Sequence, residues 1–121
     1  MSSPLYFFDT YAFFEILRGS PAYRPYAEAN AITTIFNLAE LNYNLKSRQG
    51  AELADKWTDA FKKFLVPVEV VDIKKSMELR VSMKTLSIPD AIGYTVARRH
   101  GVKFLTGDED FRNMPQVEFI K

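Results

Sequence analysis

Short apolar runs alternate along the chain with longer stretches in which apolar residues recur at helical spacing. The first run, at residues 5–8, stops at Asp9, as a buried strand does. The pattern predicts strands at residues 5–8, 31–34, 68–71, 103–106 and 117–120. It predicts helices at residues 10–18, 22–29, 35–48, 51–65, 73–86 and 87–100.

Glycine and proline mark several of these boundaries. Gly50 separates two long helical patterns. Pro89 lies in the first turn of the helix predicted at 87–100, and Gly101 follows it as a natural terminator. The segment 68–71 is assigned to a strand because of its β-branched residues.

Strands that alternate with helices predict a parallel sheet covered on both faces. We therefore expect an α/β three-layer sandwich with a central, mostly parallel sheet of about five strands. A length of 121 residues fits one domain, residues 1–121. Ligands of such folds bind beyond the carboxyl ends of the strands, where the strand order reverses.

The composition restricts the kind of metal site that the chain could build. The sequence has no cysteine and a single histidine, His100, which excludes thiolate and multi-histidine metal sites. A bound metal would need carboxylate oxygens, which favours Mg²⁺ or Mn²⁺. No apolar run is long enough for a membrane span, and the start of the chain lacks a secretion signal. We therefore expect a cytoplasmic protein.

Five acidic residues occupy special positions in this layout. Asp9 ends the first strand, and Asp90 opens a helix. Asp108 and Asp110 follow the strand that ends at residue 106, and Glu40 lies inside a helix. Carboxylates at strand ends and helix starts can converge on one crevice, so together they favour a metal site.

Each of these residues also has an interpretation without a metal. Asp9 would cap the following helix, and Asp90 would complete a Ser-x-x-Asp capping box. Asp108 and Asp110 would be ordinary turn residues, and Glu40 a solvated helix residue. Taken singly, each of these alternatives is the more common one.

The ordered motifs of the chain resemble those of PIN domains, including toxin ribonucleases of prokaryotic toxin–antitoxin pairs. The resemblance runs from residue 5 to about residue 119. It rests on four segments, namely Phe8-Asp9-Thr10, Ala39-Glu40-Leu41, Pro89-Asp90-Ala91-Ile92 and Leu105-Thr106-Gly107-Asp108-Glu109-Asp110-Phe111.

The resemblance implies a catalytic acidic quartet. Asp9 and Asp90 would bind a Mg²⁺ or Mn²⁺ ion directly, and Asp108 directly or through water. Glu40 would orient or deprotonate the attacking water, or serve as a further ligand. Asp110 matches an additional acidic position that only some members use.

Polar and aromatic residues around the quartet complete the prediction. Thr10 and Thr106 match hydroxyl positions that flank the metal, and Asn37 shares a helical face with the glutamate of the quartet. Tyr11 departs from the family pattern, as does the pair Gly93–Tyr94. These departures affect the expected fit of the substrate more than metal binding.

The implied function is a metal-dependent ribonuclease, the toxin of a toxin–antitoxin pair. The implied partners are an RNA substrate, an antitoxin protein and a second copy of the chain. The apolar stripe of Leu53, Trp57 and Phe61 is more often part of a core, and the alternative is an apolar patch for a second copy or an antitoxin peptide. The alternative is a catalytically silent PIN-like module that binds RNA or acts as a scaffold. Candidate RNA contacts are Lys46, Arg48, Lys62, Lys63, Lys74, Lys75, Arg98 and Arg99.

Overall fold

The structure, a computed structural model, describes residues 4–121. The interpretation of the chain start as lacking a secretion signal concerns mainly residues 1–3, which lie outside this range. The strands are β1 (Leu5–Phe8), β2 (Asn30–Ile32), β3 (Lys103–Thr106) and β4 (Val117–Phe119). The α-helices are α1 (Thr10–Leu17), α2 (Ile35–Gln49), α3 (Ala51–Phe61), α4 (Val70–Ser82) and α5 (Ile88–His100).

All four strands are parallel and form one sheet in the order β2-β1-β3-β4. Phe7 of β1 lies opposite Ile32 of β2 on one side and Phe104 of β3 on the other. The chain leaves β1 towards β2 and later returns to its other side, so the strand order reverses between β1 and β3. This is the position at which open parallel sheets bind ligands.

Alternation along the strands divides the core into two layers. Phe8 and Leu105 face one cluster, which is completed by leucines of α2 such as Leu41. Phe7 and Phe104 face the other cluster, beside α5, with ring centroids 5.5 Å apart. The α/β three-layer fold is therefore confirmed, with four strands in residues 4–121 instead of about five.

The strand predicted at residues 68–71 is wrong, because a helix begins there. The Asp72 carboxylate accepts a hydrogen bond from the Glu69 backbone N–H (2.8 Å), which caps the first turn of α4. Asp72 also accepts from both Nε and a terminal nitrogen of Arg99 on α5 (2.9 Å each). Capping and this partly buried ion pair outweigh the β-propensity of the valines.

Other helix boundaries shift for local reasons. The helix predicted at 22–29 is a 3₁₀ helix, Pro21–Tyr26, because Pro25 lacks the N–H that an α-helix needs. The helix predicted at 51–65 ends at Phe61 and continues as a 3₁₀ turn, Lys62–Phe64. In the described part of the chain, no helix is both long and apolar enough to cross a membrane.

Candidate metal centre

Asp9 lies where β1 ends and α1 begins, almost completely buried. Its Oδ1 accepts a hydrogen bond from the Thr10 backbone N–H (2.8 Å), so it caps α1 as the simpler interpretation predicted. Its Oδ2 accepts from the Thr106 hydroxyl at the end of β3 (2.7 Å). These two bonds fix the carboxylate at the junction of the two central strands.

Asp90 is held by the predicted capping box at the start of α5. The Ser87 backbone N–H donates to Asp90 Oδ2 (3.2 Å), and the Asp90 backbone N–H donates to Ser87 Oγ (3.1 Å). Ser87 Oγ in turn donates to Glu40 Oε2 (3.3 Å). The serine therefore positions two carboxylates that come from different helices.

Asp9, Glu40 and Asp90 converge on one point. Each offers one carboxylate oxygen, and these three atoms all lie within 4.8 Å of one another. An all-oxygen donor set of this kind suits Mg²⁺ or Mn²⁺. The capping interpretations and the metal interpretation therefore apply to the same residues, because each cap holds its carboxylate in the cluster.

The electrostatics of the cluster agree with a cation site. Burial raises the pKa of Asp9 well above its ordinary value, and the negative charge of Asp90 raises it further. Burial, followed by the charge of Glu40, raises the pKa of Asp90 to about 6. A divalent cation would relieve the repulsion between these carboxylates, so the residues present fit the metal that the fold family implies.

Asp108 and Asp110 lie beside this cluster rather than in it. The Asp108 backbone N–H donates to Thr106 Oγ1 (3.1 Å), and Asp108 Oδ1 accepts from the Asp110 backbone N–H (3.0 Å). Asp108 lines the same cleft as Asp9, and its charge contributes to the raised pKa of Asp90. Asp110 does not line that cleft, so its predicted role as a ligand has no support in the geometry.

Asn37 lies behind the acidic cluster and joins the two helices that carry Glu40 and Asp90. It is completely buried, accepts from the Thr34 hydroxyl (2.6 Å) and donates to the Pro89 carbonyl (3.3 Å), which ties α2 to the start of α5. A Cβ at Gly93 would lie 3.0 Å from the Asn37 amide nitrogen and 2.9 Å from the Phe7 ring. Gly93 is therefore needed for the close contact between the helices.

Thr10 and Tyr11 begin the wall of the cleft on α1. The Thr10 hydroxyl donates a long hydrogen bond (3.5 Å) to the backbone carbonyl of Asn37. The Tyr11 ring lies against Gly107, where a Cβ would come within 2.4 Å of the ring. The unusual tyrosine thus matches a glycine in the loop that carries Asp108.

The cleft has a volume of about 570 Å³ and extends well beyond the carboxylates. Of the basic residues proposed from the sequence, Arg48 lines it. Lys46 forms an ion pair with Asp55 instead (3.0 Å). His100 is exposed at the end of α5, away from the cleft. Residues that sequence reasoning did not assign to the site also line the cleft, namely Phe14, Glu15, Arg18, Asn44, Thr85 and Ser87.

The helical spacing of these residues could have indicated that several of them line the cleft. Glu15 and Arg18 continue the face of α1 that begins with Tyr11, and Asn44 and Arg48 continue the face of α2 that carries Glu40. The periodicity alone could not show that the two faces lie opposite each other.

Several solved structures share this fold. Mycobacterium tuberculosis VapC20, a sarcin–ricin loop cleaving toxin, has a TM-score of 0.80 at 22% identity, covering 96% of this chain and 99% of that chain. A toxin–antitoxin complex from Klebsiella pneumoniae has a TM-score of 0.72 at 22% identity, covering 96% of both chains. VapBC2 from Rickettsia felis, bound to a promoter DNA fragment, has a TM-score of 0.70 at 17% identity, covering 97% and 99%.

No curated protein sequence matches the chain significantly. At such low identities, the structural neighbours show the fold alone. The family model for the PIN domain matches residues 6–117, which is most of the sequence. On this match, and with the parallel sheet and the acidic cluster in agreement, the chain belongs to the PIN domain family.

Proposed function

We propose that the protein is a Mg²⁺- or Mn²⁺-dependent ribonuclease that hydrolyses phosphodiester bonds of RNA. The observation that carries this proposal is the convergence of Asp9, Glu40 and Asp90 at the carboxyl ends of β1 and β3. The family supports nuclease chemistry, and VapC20, which has the same fold, is a sarcin–ricin loop cleaving toxin.

The residues of the chain have distinct tasks in this reaction. When bound, the cation supplies a water of lowered pKa and neutralises charge on the phosphate. Asp9 and Asp90 would hold the cation, and each carboxylate is fixed by the hydrogen bonds of its own helix start. Glu40, oriented by Ser87, is placed to orient the attacking water or accept its proton, and Asp108 adds negative charge at the same end of the cleft.

Cleavage of labelled RNA oligomers of mixed sequence tests this proposal. We expect products with millimolar Mn²⁺ or Mg²⁺ and none in EDTA, because the carboxylates cannot activate water without the cation. The same oligomers made as DNA show whether the sugar matters. Equal cleavage in EDTA would contradict a metal-dependent mechanism, and no cleavage under any condition would favour the silent RNA-binding module.

We also propose that the protein is a cytoplasmic toxin restrained by a cognate antitoxin. Support comes from solved neighbours that are toxin–antitoxin assemblies, including those from Klebsiella pneumoniae and Rickettsia felis. Expression of the chain alone should arrest growth, and expression with an adjacent small reading frame should restore it. Growth unaffected by expression of an active enzyme would contradict the toxin role.

A homodimer is part of the same proposal. Large apolar side chains remain exposed, among them Ile35 (63%), Tyr43 (71%) and Val81 (73%), and a net charge of +1 does not oppose self-association. Light scattering at micromolar concentration should give twice the mass of one chain. A monomer mass at that concentration would contradict the dimer.

Trp57 and Phe61 of the apolar stripe are half-buried and pack against the hydrophobic core, as the more common of the two interpretations predicts. Trp57 stacks on Phe61 (5.8 Å between ring centroids), and Phe61 packs on Phe13 (4.5 Å). Trp57→Glu should therefore destabilise the fold by about 2–4 kcal/mol, measured by thermal melting, because it places a charge against this cluster. An unchanged melting temperature would show that the stripe does not stabilise the core.

A further inference from the structure

The cleft between α1 and α2 is acidic at one end and basic at the other. Asp9 caps the start of α1, and Arg18 caps its end. On α2, Glu40 and Arg48 line the same cleft and are eight residues apart, about 12 Å along a helix axis. The two helices therefore lead away from the carboxylates towards a pair of arginines.

The two arginines differ in whether their charge is already neutralised. Arg18 Nε donates to Glu15 Oε2 (2.8 Å), and because Glu15 also lines the cleft, this pair adds no net charge there. Arg48 forms no salt bridge with any residue in the range 4–121. Its guanidinium lies over the Phe14 ring, 5.4 Å from the centroid. Among the described residues, Arg48 is thus the cation at this end of the cleft that has no carboxylate partner.

We propose that Arg48, supported by Phe14, binds a backbone phosphate of a single RNA strand at a position beyond the bond that is cut. This inference rests on the proposed ribonuclease function and names the residue that positions its substrate. An arginine fork matches a phosphate with two parallel hydrogen bonds, and stacking on Phe14 fixes its orientation in advance. Because the backbone positions of Glu40 and Arg48 are separated by about 12 Å along α2, we assign Arg48 to a phosphate that neighbours the scissile one.

The wall between the two ends suits an unpaired strand. Tyr11 and Phe14 line the cleft on α1, between the carboxylates and Arg48. Aromatic side chains in such grooves stack with exposed bases of single-stranded nucleic acid. The cleft, about 570 Å³ in volume, presents both rings beside the carboxylates, where an unpaired strand offers its bases for stacking. The preferred substrate is therefore a single strand with phosphates on both sides of the cleavage point.

Binding measured without cleavage is the first test. We would compare Asp90→Asn with the double variant Asp90→Asn/Arg48→Ala, using fluorescence anisotropy and a labelled single-stranded RNA of about eight nucleotides. Loss of the phosphate contact should weaken binding about tenfold and lower the slope of log affinity against log salt by about one. Lys56→Ala in the same background is the matched control, because Lys56 also lies over an aromatic ring, that of Trp57, but outside the cleft. It should leave affinity unchanged.

Cleavage kinetics supply the second test. Arg48→Ala should raise KM for the same RNA about tenfold and leave kcat unchanged, because the contact is equally strong in the ground state and the transition state. Arg48→Lys should give an intermediate KM, since lysine keeps the positive charge but cannot form the two parallel hydrogen bonds of the guanidinium. A dinucleotide with a single phosphodiester bond should be cut equally by wild type and Arg48→Ala, because it has no second phosphate.

The outcomes separate this inference from the function on which it rests. Equal RNA affinity with and without Arg48, or no RNA binding at all, would overturn the inference even if the enzyme cleaves RNA. Weaker binding of the Arg48→Ala variant, in a protein that cuts no RNA under any condition, would support the inference and refute the ribonuclease proposal.

Discussion

Asp90→Asn should abolish Mn²⁺-dependent RNA cleavage and leave the circular dichroism spectrum unchanged. The asparagine carbonyl can still accept the hydrogen bond from the Ser87 backbone N–H, so the start of α5 is preserved. The negative charge that a cation requires is lost, and an amide group faces Glu40 and Asp9 instead. We expect a loss of at least about 100-fold in kcat/KM, typical for removal of a main electrostatic contact.

Asp55→Asn is the matched control for this variant. Asp55 is an exposed aspartate on α3, where it accepts from Asn42 and pairs with Lys46 outside the cleft. The control should cleave RNA as the wild type does. Equal cleavage by wild type and Asp90→Asn would refute the proposed metal centre, whereas a changed spectrum for Asp90→Asn would show that its capping role dominates.

The parts of the fold that were predicted correctly depend on local signals. The leucine pattern of α2 and the Ser-x-x-Asp box of α5 are complete within one segment, and both helices appear with nearly the predicted bounds. The valines at residues 68–71 misled the assignment because the start of α4 is stabilised by a residue on a distant helix. Arg99 holds Asp72 in place there, and because the two residues are 27 positions apart, no local sequence pattern predicts their contact.

The residues of the candidate site likewise fall into those that local sequence signals predict and those whose position depends on tertiary packing. Asp9, Glu40 and Asp90 could be named in advance because strand ends and helix starts meet at one edge of a parallel sheet. Asn37 shares a helical face with Glu40, yet it lies almost one turn earlier on α2, where it is buried against the start of α5 instead of lining the cleft. Arg18 was not identified, since its place in the cleft depends on how α1 packs against α2.

In the absence of metal, Asp90→Asn should raise the melting temperature of the protein. Burial and the charge of Glu40 raise the pKa of Asp90 from 3.8 to about 6, so the ionised carboxylate destabilises the folded state at neutral pH. Removing that charge should stabilise the metal-free fold by on the order of 1–2 kcal/mol, or roughly 4–8 °C. Melting curves in EDTA at pH 7.5 measure this gain, with Asp55→Asn as the control that should show none.

The same carboxylates should make metal-free stability depend on pH. The folded state keeps the Asp90 proton up to a pH of about 6, whereas the unfolded chain releases it near 3.8. The resulting stabilisation is complete below 3.8 and is lost as the pH rises through about 6, so the wild type in EDTA should melt higher at a pH of about 5.5 than at about 7.5. Asp72, whose pKa is lowered by Arg99, stays ionised throughout and does not mask the trend.

Adding metal should reverse the order of the two melting temperatures, so that the wild type melts above Asp90→Asn. Millimolar Mn²⁺ stabilises whichever protein binds it, by about 2.7 kcal/mol at a concentration 100 times the dissociation constant. The wild type should therefore gain far more than Asp90→Asn, which lacks one ligand. A lower melting temperature for Asp90→Asn in EDTA would mean that the capping bond outweighs the repulsion between carboxylates. A wild-type curve that Mn²⁺ leaves unchanged would show that Asp9, Glu40 and Asp90 converge without forming a metal site.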